Sequence, residues 1–210
     1  MDKCIIFGAA DLCRLVAPIE SDDLLIAADG GLRHFSAIDK KPHVILGDFD
    51  SLGYVPEGAQ VHPVEKDDTD MMLAVRYGLS QNRKDFYLYG ALDGSRLDHT
   101  VANFQTLAFL RNHGAHGWLI GKQYLVTVIQ NETVRFPAGA TGILSLFCMG
   151  GDAKGVTISG LKYTLEDATL SGSMPLGVSN HFIGEEAEIS VKNGTLLLMW
   201  DVGNGLPKIV

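Results

Sequence analysis

The chain has 210 residues, 46% hydrophobic and 20% charged, a balance that excludes a disordered chain and fits a globular protein with a real core. Its 25 acidic and 17 basic side chains leave a formal net charge of −8, which argues against a general nucleic-acid binder, since that needs a basic stripe. The same charge is compatible with a nucleotide substrate, because a divalent cation bridges carboxylates to phosphates.

In chain order, Met1-Asp2-Lys3 runs into the apolar stretch Cys4–Phe7, too short for the hydrophobic region of a signal peptide. No segment approaches the roughly 20 apolar residues of a membrane span. Cys4, Cys13 and Cys148 are odd in number and lack metal-ligand spacing, as free thiols in a reducing compartment do. A cytoplasmic protein is expected. Cys4–Phe7, Leu24–Ala27, Val44–Leu46, Phe86–Tyr89 and Trp118–Ile120 read as short buried strands ending near Gly or Asp. Helix signals cover Thr69–Leu79 and His99–Asn112, the second with Asp98 as N-cap and Gly114 as C′ residue. Strand–helix alternation predicts an α/β domain with a mostly parallel sheet and helices on both faces.

From about Gln123 the pattern changes to strands: Leu125–Ile129, Ile143–Met149, Gly155–Ile158, Ala187–Val191 and Thr195–Trp200. Asn193-Gly194 carries a hairpin signal between the last two. An all-β antiparallel sandwich or barrel is expected here. The expected division is an α/β domain over 1–125 and an all-β domain over 126–210.

Ligands of a parallel α/β sheet bind where strands end. Four acidic clusters fall at predicted strand exits or helix starts, in a stretch from Asp29 to Asp98 that holds ten aspartates. Asp48 and Asp50 lie two apart in a glycine-bounded loop, so an extended backbone points both to one side. Two carboxylates held together repel unless a cation sits between them, and magnesium takes oxygen ligands. Asp67, Asp68 and Asp70 exceed what one helix cap needs, and Lys66 beside them can reach a phosphate. Between Gly90 and His99, Arg96 offers a bidentate fork for phosphate, with Asp98 two residues on. His99 and Asn103 share a helix face. Asp29-Gly30-Gly31 serves either the nucleotide or only a tight turn. There is no Gly-x-x-x-x-Gly-Lys-Ser/Thr loop and no protein-kinase signature. By physics alone, these residues describe a carboxylate-rich metal site on an α/β sheet facing a phosphorylated substrate.

The ordered set Ala28-Asp29-Gly30-Gly31, Leu46-Gly47-Asp48-Phe49-Asp50-Ser51, Asp68-Thr69-Asp70 and Arg96-Leu97-Asp98-His99 with Asn103 resembles thiamine pyrophosphokinases. Gly160-Leu161-Lys162-Tyr163 and Gly177-Val178-Ser179-Asn180 look like that family's C-terminal motifs, so the resemblance spans nearly the whole chain. It departs in two places: Ser95 stands where the family has glycine, in a loop one residue longer, and Thr164 stands where proline is common. The resemblance implies an α/β domain that binds ATP and magnesium, then a β-sandwich that binds thiamine. It implies a homodimer with the active site at the subunit interface and pyrophosphate transfer from ATP to thiamine. It carries over Asp48, Asp50, Asp70 and Asp98 as magnesium and phosphate ligands, with Arg96 catalytic beside them. Ser51, Thr69 and Arg96 would contact ATP, with Asp29, Lys66, Asp68, His99 and Asn103 on the same side. Ser179 and Asn180 would contact thiamine, and Trp200 could stack on its ring or be a core tryptophan. The rival readings are a pyrophosphokinase for another alcohol such as a hydroxymethylpterin, a simple kinase releasing ADP, and a non-catalytic thiamine- or nucleotide-binding module. No nucleic-acid or membrane partner is expected.

Overall fold

The computed structural model describes residues 2–50, 52–63 and 68–210. The chain divides into two compact units, the first ending at Lys122 and the second beginning at Gln123. No helix among the described residues is long and apolar enough to cross a membrane.

The first unit contains β1 (Lys3–Phe7), β2 (Leu24–Ala28), β3 (Val44–Gly47), β4 (Gln60–Val61), α1 (Asp70–Ser80), β5 (Asp85–Tyr89), α2 (Leu97–Asn112) and β6 (His116–Ile120). Its strands lie in the order β6-β5-β1-β2-β3-β4, every pairing parallel. β1, β2 and β6 are buried on four consecutive positions, and β5 at Phe86, Leu88 and Tyr89, as strands covered on both faces require. From β1 the chain builds outward one way through β2, β3 and β4, then returns to the other side of β1 for β5 and β6. The order therefore reverses between β1 and β5, the place where open α/β sheets bind ligands.

The expectation of helices on both faces is corrected. α1 and α2 pack on each other, α1 against β1, β2 and β3, and α2 against β6. Two right-handed crossovers running the same way along a sheet put both helices on one face. The opposite connections, β1 to β2 to β3, hold no α-helix, only a 3-10 turn at Asp29–His34.

Helix α1 is capped by Thr69, whose Oγ1 accepts from the Met72 N–H at 3.2 Å. Asp98 is not the cap of α2. Arg96 holds that position, and Asp98 lies inside the first turn, where its charge favours the helix dipole. The C-terminus follows the expected pattern. Gly114 takes φ 64 and its N–H donates to the Arg111 carbonyl, while Ala115 N–H donates to Leu110, which is a Schellman motif.

The second unit contains β7 (Tyr124–Gln130), β8 (Thr133–Phe136), β9 (Ile143–Cys148), β10 (Ala153–Ser159), β11 (Leu165–Leu170), β12 (Asn180–His181), β13 (Ala187–Ser190), β14 (Thr195–Asp201) and β15 (Lys208–Ile209). Its strands form two antiparallel sets, β12-β9-β14-β7 and β11-β10-β13-β8-β15. The rings of Phe136 on β8 and Trp200 on β14 meet edge-to-face at 5.2 Å, and Phe182 meets Phe136 at 5.0 Å. The core is thus the layer between the two sheets.

The hairpin expected at Asn193-Gly194 is absent. β13 pairs with β10 and β8, whereas β14 pairs with β7 and β9, so this turn carries the chain from one sheet to the other. Ala187 and Ile189 on β13 and Leu196, Leu198 and Trp200 on β14 are all buried. They close the core from opposite sides, which two strands paired in one hairpin cannot do.

Candidate active site

A cleft of about 560 Å³ opens at the carboxyl ends of β1, β2, β3 and β5, bounded by the starts of α1 and α2. Its floor is the switch point. Gly8 after β1 and Gly90 after β5 approach so closely that a Cβ on Gly8 would lie 2.6 Å from the Gly90 oxygen. The Ala10 N–H donates to that same Gly90 oxygen at 3.0 Å.

The acidic wall comes from β2 and β3. Asp29, Asp48 and Asp50 each bring one carboxylate oxygen within 4.8 Å of the others. Asp29 is only 8% exposed, at the first position of the 3-10 turn, with φ 46. Asp48 and Asp50 converge for a reason other than strand alternation. Phe49 between them takes φ 60 and buries its ring, so the backbone turns about a fixed anchor and leaves both carboxylates facing the cleft. Residues held in such a sparsely populated conformation cluster at functional sites. The Asp50 N–H donates to Asp48 Oδ1 at 3.3 Å, which tightens the turn.

Asp70, the first residue of α1, lines the same cleft. Its neighbours are otherwise engaged: Thr69 caps α1, and Asp68 pairs with Arg76 at 2.8 Å. On the opposite wall stand Ser95, Arg96, His99, Thr100 and Asn103. The Arg96 Nε and Nη2 donate to the two Asp98 oxygens at 3.0 and 2.6 Å. That fork holds the Asp98 carboxyl down at about 2, chiefly through its hydrogen bonds. Asp98 is therefore the partner of Arg96 rather than a member of the Asp29–Asp48–Asp50 group. Asn103 is buried and donates to the Ala91 carbonyl at 2.6 Å, so it braces the loop after β5.

In the second unit Ser179 is exposed at φ 60, and its N–H donates to Ser145 Oγ at 3.0 Å. Asn180 is buried. Its Oδ1 accepts from the N–H groups of Tyr163 and His181, both at 2.9 Å, and its Nδ2 donates to the Tyr163 carbonyl at 2.7 Å. It clamps the Lys162-Tyr163 segment from both sides. Trp200 is corrected: its ring is 0% exposed, packed on Phe136, with Nε1 donating to the Gly205 carbonyl at 2.9 Å, so no face is open to a ligand. Ser51 and Lys66 lie outside the described residues.

The small-residue wall of the cleft, Gly8, Ala9 and Ala10, is silent in the sequence, because such residues offer no side-chain chemistry to read. Asp29 joins the Asp48–Asp50 pair only through the parallel pairing of β2 with β3, which no local sequence signal announces.

Residues 17–119 match a family model described as the thiamin pyrophosphokinase catalytic domain, and residues 130–196 match one for the thiamin pyrophosphokinase vitamin B1 binding domain. A thiamine pyrophosphokinase of Bacillus subtilis is 26% identical over 174 residues, covering 75% of this chain and 78% of that protein. The fold is similar to the crystal structure of the Bacillus subtilis thiamine pyrophosphokinase, with TM-score 0.80 at 22% identity over 94% of this chain and 98% of that one. It is also similar to the thiamin pyrophosphokinase of Geobacillus thermodenitrificans, with TM-score 0.75 at 24% identity over 95% and 96%. The two family matches fall on the two units in order and together span most of the sequence. The cleft described above, the sandwich that follows it and these matches agree: the chain belongs to the thiamin pyrophosphokinase family.

Proposed function

We propose that this chain transfers the pyrophosphoryl group of ATP to the hydroxyl of thiamine, yielding AMP and thiamine diphosphate. The observation that carries the reading is the convergence of Asp29, Asp48 and Asp50 on one cleft at the switch point of a parallel sheet. A triphosphate brought among carboxylates needs counter-charge, and three oxygens from short aspartates fit an oxygen-seeking divalent cation such as magnesium. Asp29, Asp48 and Asp50 would hold it, with Asp70 at the cleft edge. When bound, the cation neutralises charge on the phosphate oxygens and aligns the chain for in-line attack.

The protein's own groups supply positioning. Arg96 adds a fixed positive charge on the opposite wall, its planar fork oriented by Asp98. The amino end of α1, opening at Asp70, gives N–H groups suited to phosphate. Asn103 fixes the loop after β5 through Ala91. Thr69 and Asp68 act at one remove, through the start of α1. Ser51, Lys66 and His99 complete the ATP side. In the second unit Ser179 would meet thiamine, with Asn180 holding the Tyr163 segment beside it.

The match of residues 130–196 to a vitamin B1 binding domain supports thiamine over a pterin. We further infer a cytoplasmic homodimer, thiamine lying between the catalytic unit of one copy and the β unit of its partner. Exposed Tyr163, Met174, Leu176, Val178 and Ile183 support a covering partner, since large apolar side chains grouped along one segment of a surface mark contact sites. The free cysteines Cys4, Cys13 and Cys148 suit a reducing compartment. Incubation with ATP, magnesium and thiamine tests the reaction. Equimolar AMP and thiamine diphosphate are expected; ADP with thiamine monophosphate, or no thiamine-dependent product, would overturn it.

A further inference from the structure

The cleft wall formed by Gly8, Ala9 and Ala10 has no side chain that could hold its own place. What it presents to a ligand is backbone, so its position is set by groups elsewhere. On one side the Gly8 N–H donates to the Tyr89 carbonyl at 2.8 Å, and the Ala10 N–H to Gly90 at 3.0 Å. On the other side the contacts come from a single turn. Arg33 donates through Nη2 to the Ala9 carbonyl, and His34 Nε2 donates to the Ala10 carbonyl at 2.8 Å. His34 is buried although it is polar. Its turn, Asp29–His34, begins with the innermost carboxylate of the acidic wall. The turn thus fixes both walls at once, the acidic one directly and the backbone one through its last two residues.

We propose that His34, assisted by Arg33, is a positioning residue for the nucleotide, holding the Gly8–Ala10 backbone at the distance from Asp29 that a metal–triphosphate needs. This rests on the reading that the cleft takes ATP. The chemistry needed is one N–H donor at the Nε2 position. Ala10 offers only a carbonyl, so Nε2 must carry the proton. Burial lowers the His34 pKa below its ordinary value, which keeps the ring neutral with a single N–H to place. A purely packing histidine would have no reason to aim that proton at the cleft wall. His34 does not itself line the cleft and reaches it only through the Ala10 carbonyl, so its loss should weaken ATP binding alone.

The test uses the full chain with magnesium and α,β-methylene-ATP, which cannot be cleaved at the transferred bond, followed by initial rates with ATP and thiamine. His34→Ala should weaken analogue binding and raise KM for ATP about tenfold, the effect of one lost buried hydrogen bond, with kcat and KM for thiamine within about twofold. His34→Gln places an amide N–H near the position of Nε2 and should recover most of that loss. Arg33→Met should act in the same direction, less strongly. Analogue affinity within about twofold of wild type in His34→Ala would overturn the proposal, as would His34→Gln failing to recover it. A loss shared equally by both substrates would also overturn it, since that marks a general structural role. Should His34→Ala not fold, His34→Gln and Arg33→Met decide the matter by the same readouts. A wild-type protein that does not bind the analogue would sink the ATP reading itself; normal wild-type binding with unaffected variants would sink only the role given to His34.

Discussion

Phe49 shows how the candidate site is made at the scale of single residues. A buried aromatic in the left-handed region is costly, on the order of 1–3 kcal/mol, and is kept only where its surroundings over-determine it. What that conformation secures is the presentation of Asp48 and Asp50. Asp48→Asn keeps the volume and removes the charge, so turnover should fall at least about a hundredfold while the thermal midpoint stays within a few degrees. Steady-state rates and a melting curve on the same preparation check this. Asp98 makes a contrasting prediction. Its carboxyl is depressed from the ordinary 3.8 to about 2 by Arg96. A group with a depressed folded value contributes its interaction above the unfolded value and loses it as pH falls toward the folded one. The Arg96–Asp98 fork should therefore be intact above about pH 4, and carboxyl NMR should place the Asp98 midpoint near 2. A midpoint at or above 3.8 would show that the fork does not form in solution. Much of this site was legible in the sequence: paired aspartates two apart and an arginine by a helix start announce phosphate chemistry through charge alone. Which carboxylates join was not, because Asp29 reaches Asp48 through strand pairing while Asp98 is held off by a neighbour two residues away.

At the scale of elements, the local signals that succeeded were those with one physical solution. Gly114 ends α2 because its φ of 64 closes both C-terminal hydrogen bonds. A Cβ there would meet nothing within 4 Å, so Gly114→Ala should lose about 1 kcal/mol from backbone conformation alone, measurable by urea unfolding. Signals with two solutions failed. Asn-Gly serves a hairpin or an inter-sheet turn equally well, and burial of both flanking strands decided for the latter. A buried aromatic near a chain end serves a ligand or a core, and Trp200 serves the core. Trp200→Phe should therefore cost about 1–3 kcal/mol in stability through lost volume and the lost bond to Gly205, with KM for thiamine unchanged. A large rise in that KM without destabilisation would restore a role in ligand stacking. The strands that escaped notice are short or exposed. β4, β12 and β15 span two residues each, β8 has only four residues with two of them buried, too few to show a period, and β11 is an edge strand whose middle faces solvent.

At the scale of the whole molecule, strand–helix alternation followed by a run of strands made both fold classes readable. Strand order was not readable, since it depends on pairings between residues far apart in the chain, and with it went the location of the switch point. The same limit hid the single helical face: only the order β6-β5-β1-β2-β3-β4 shows that both crossovers run one way. Oligomeric state belongs to this scale as well. The protein should elute at twice the monomer mass in light-scattering chromatography, and Leu176→Glu should shift it toward monomer, because a charge cannot be buried there without a partner. The central claim is that carboxylates from the ends of two parallel strands grip a divalent cation against the phosphates of ATP. Manganese EPR on the wild-type chain and Asp48→Asn, with and without ATP, tests it most directly. The account predicts a bound-manganese signal in the wild type that strengthens with ATP and is lost or weakened at least tenfold in the variant; equal manganese binding by the two proteins would contradict it.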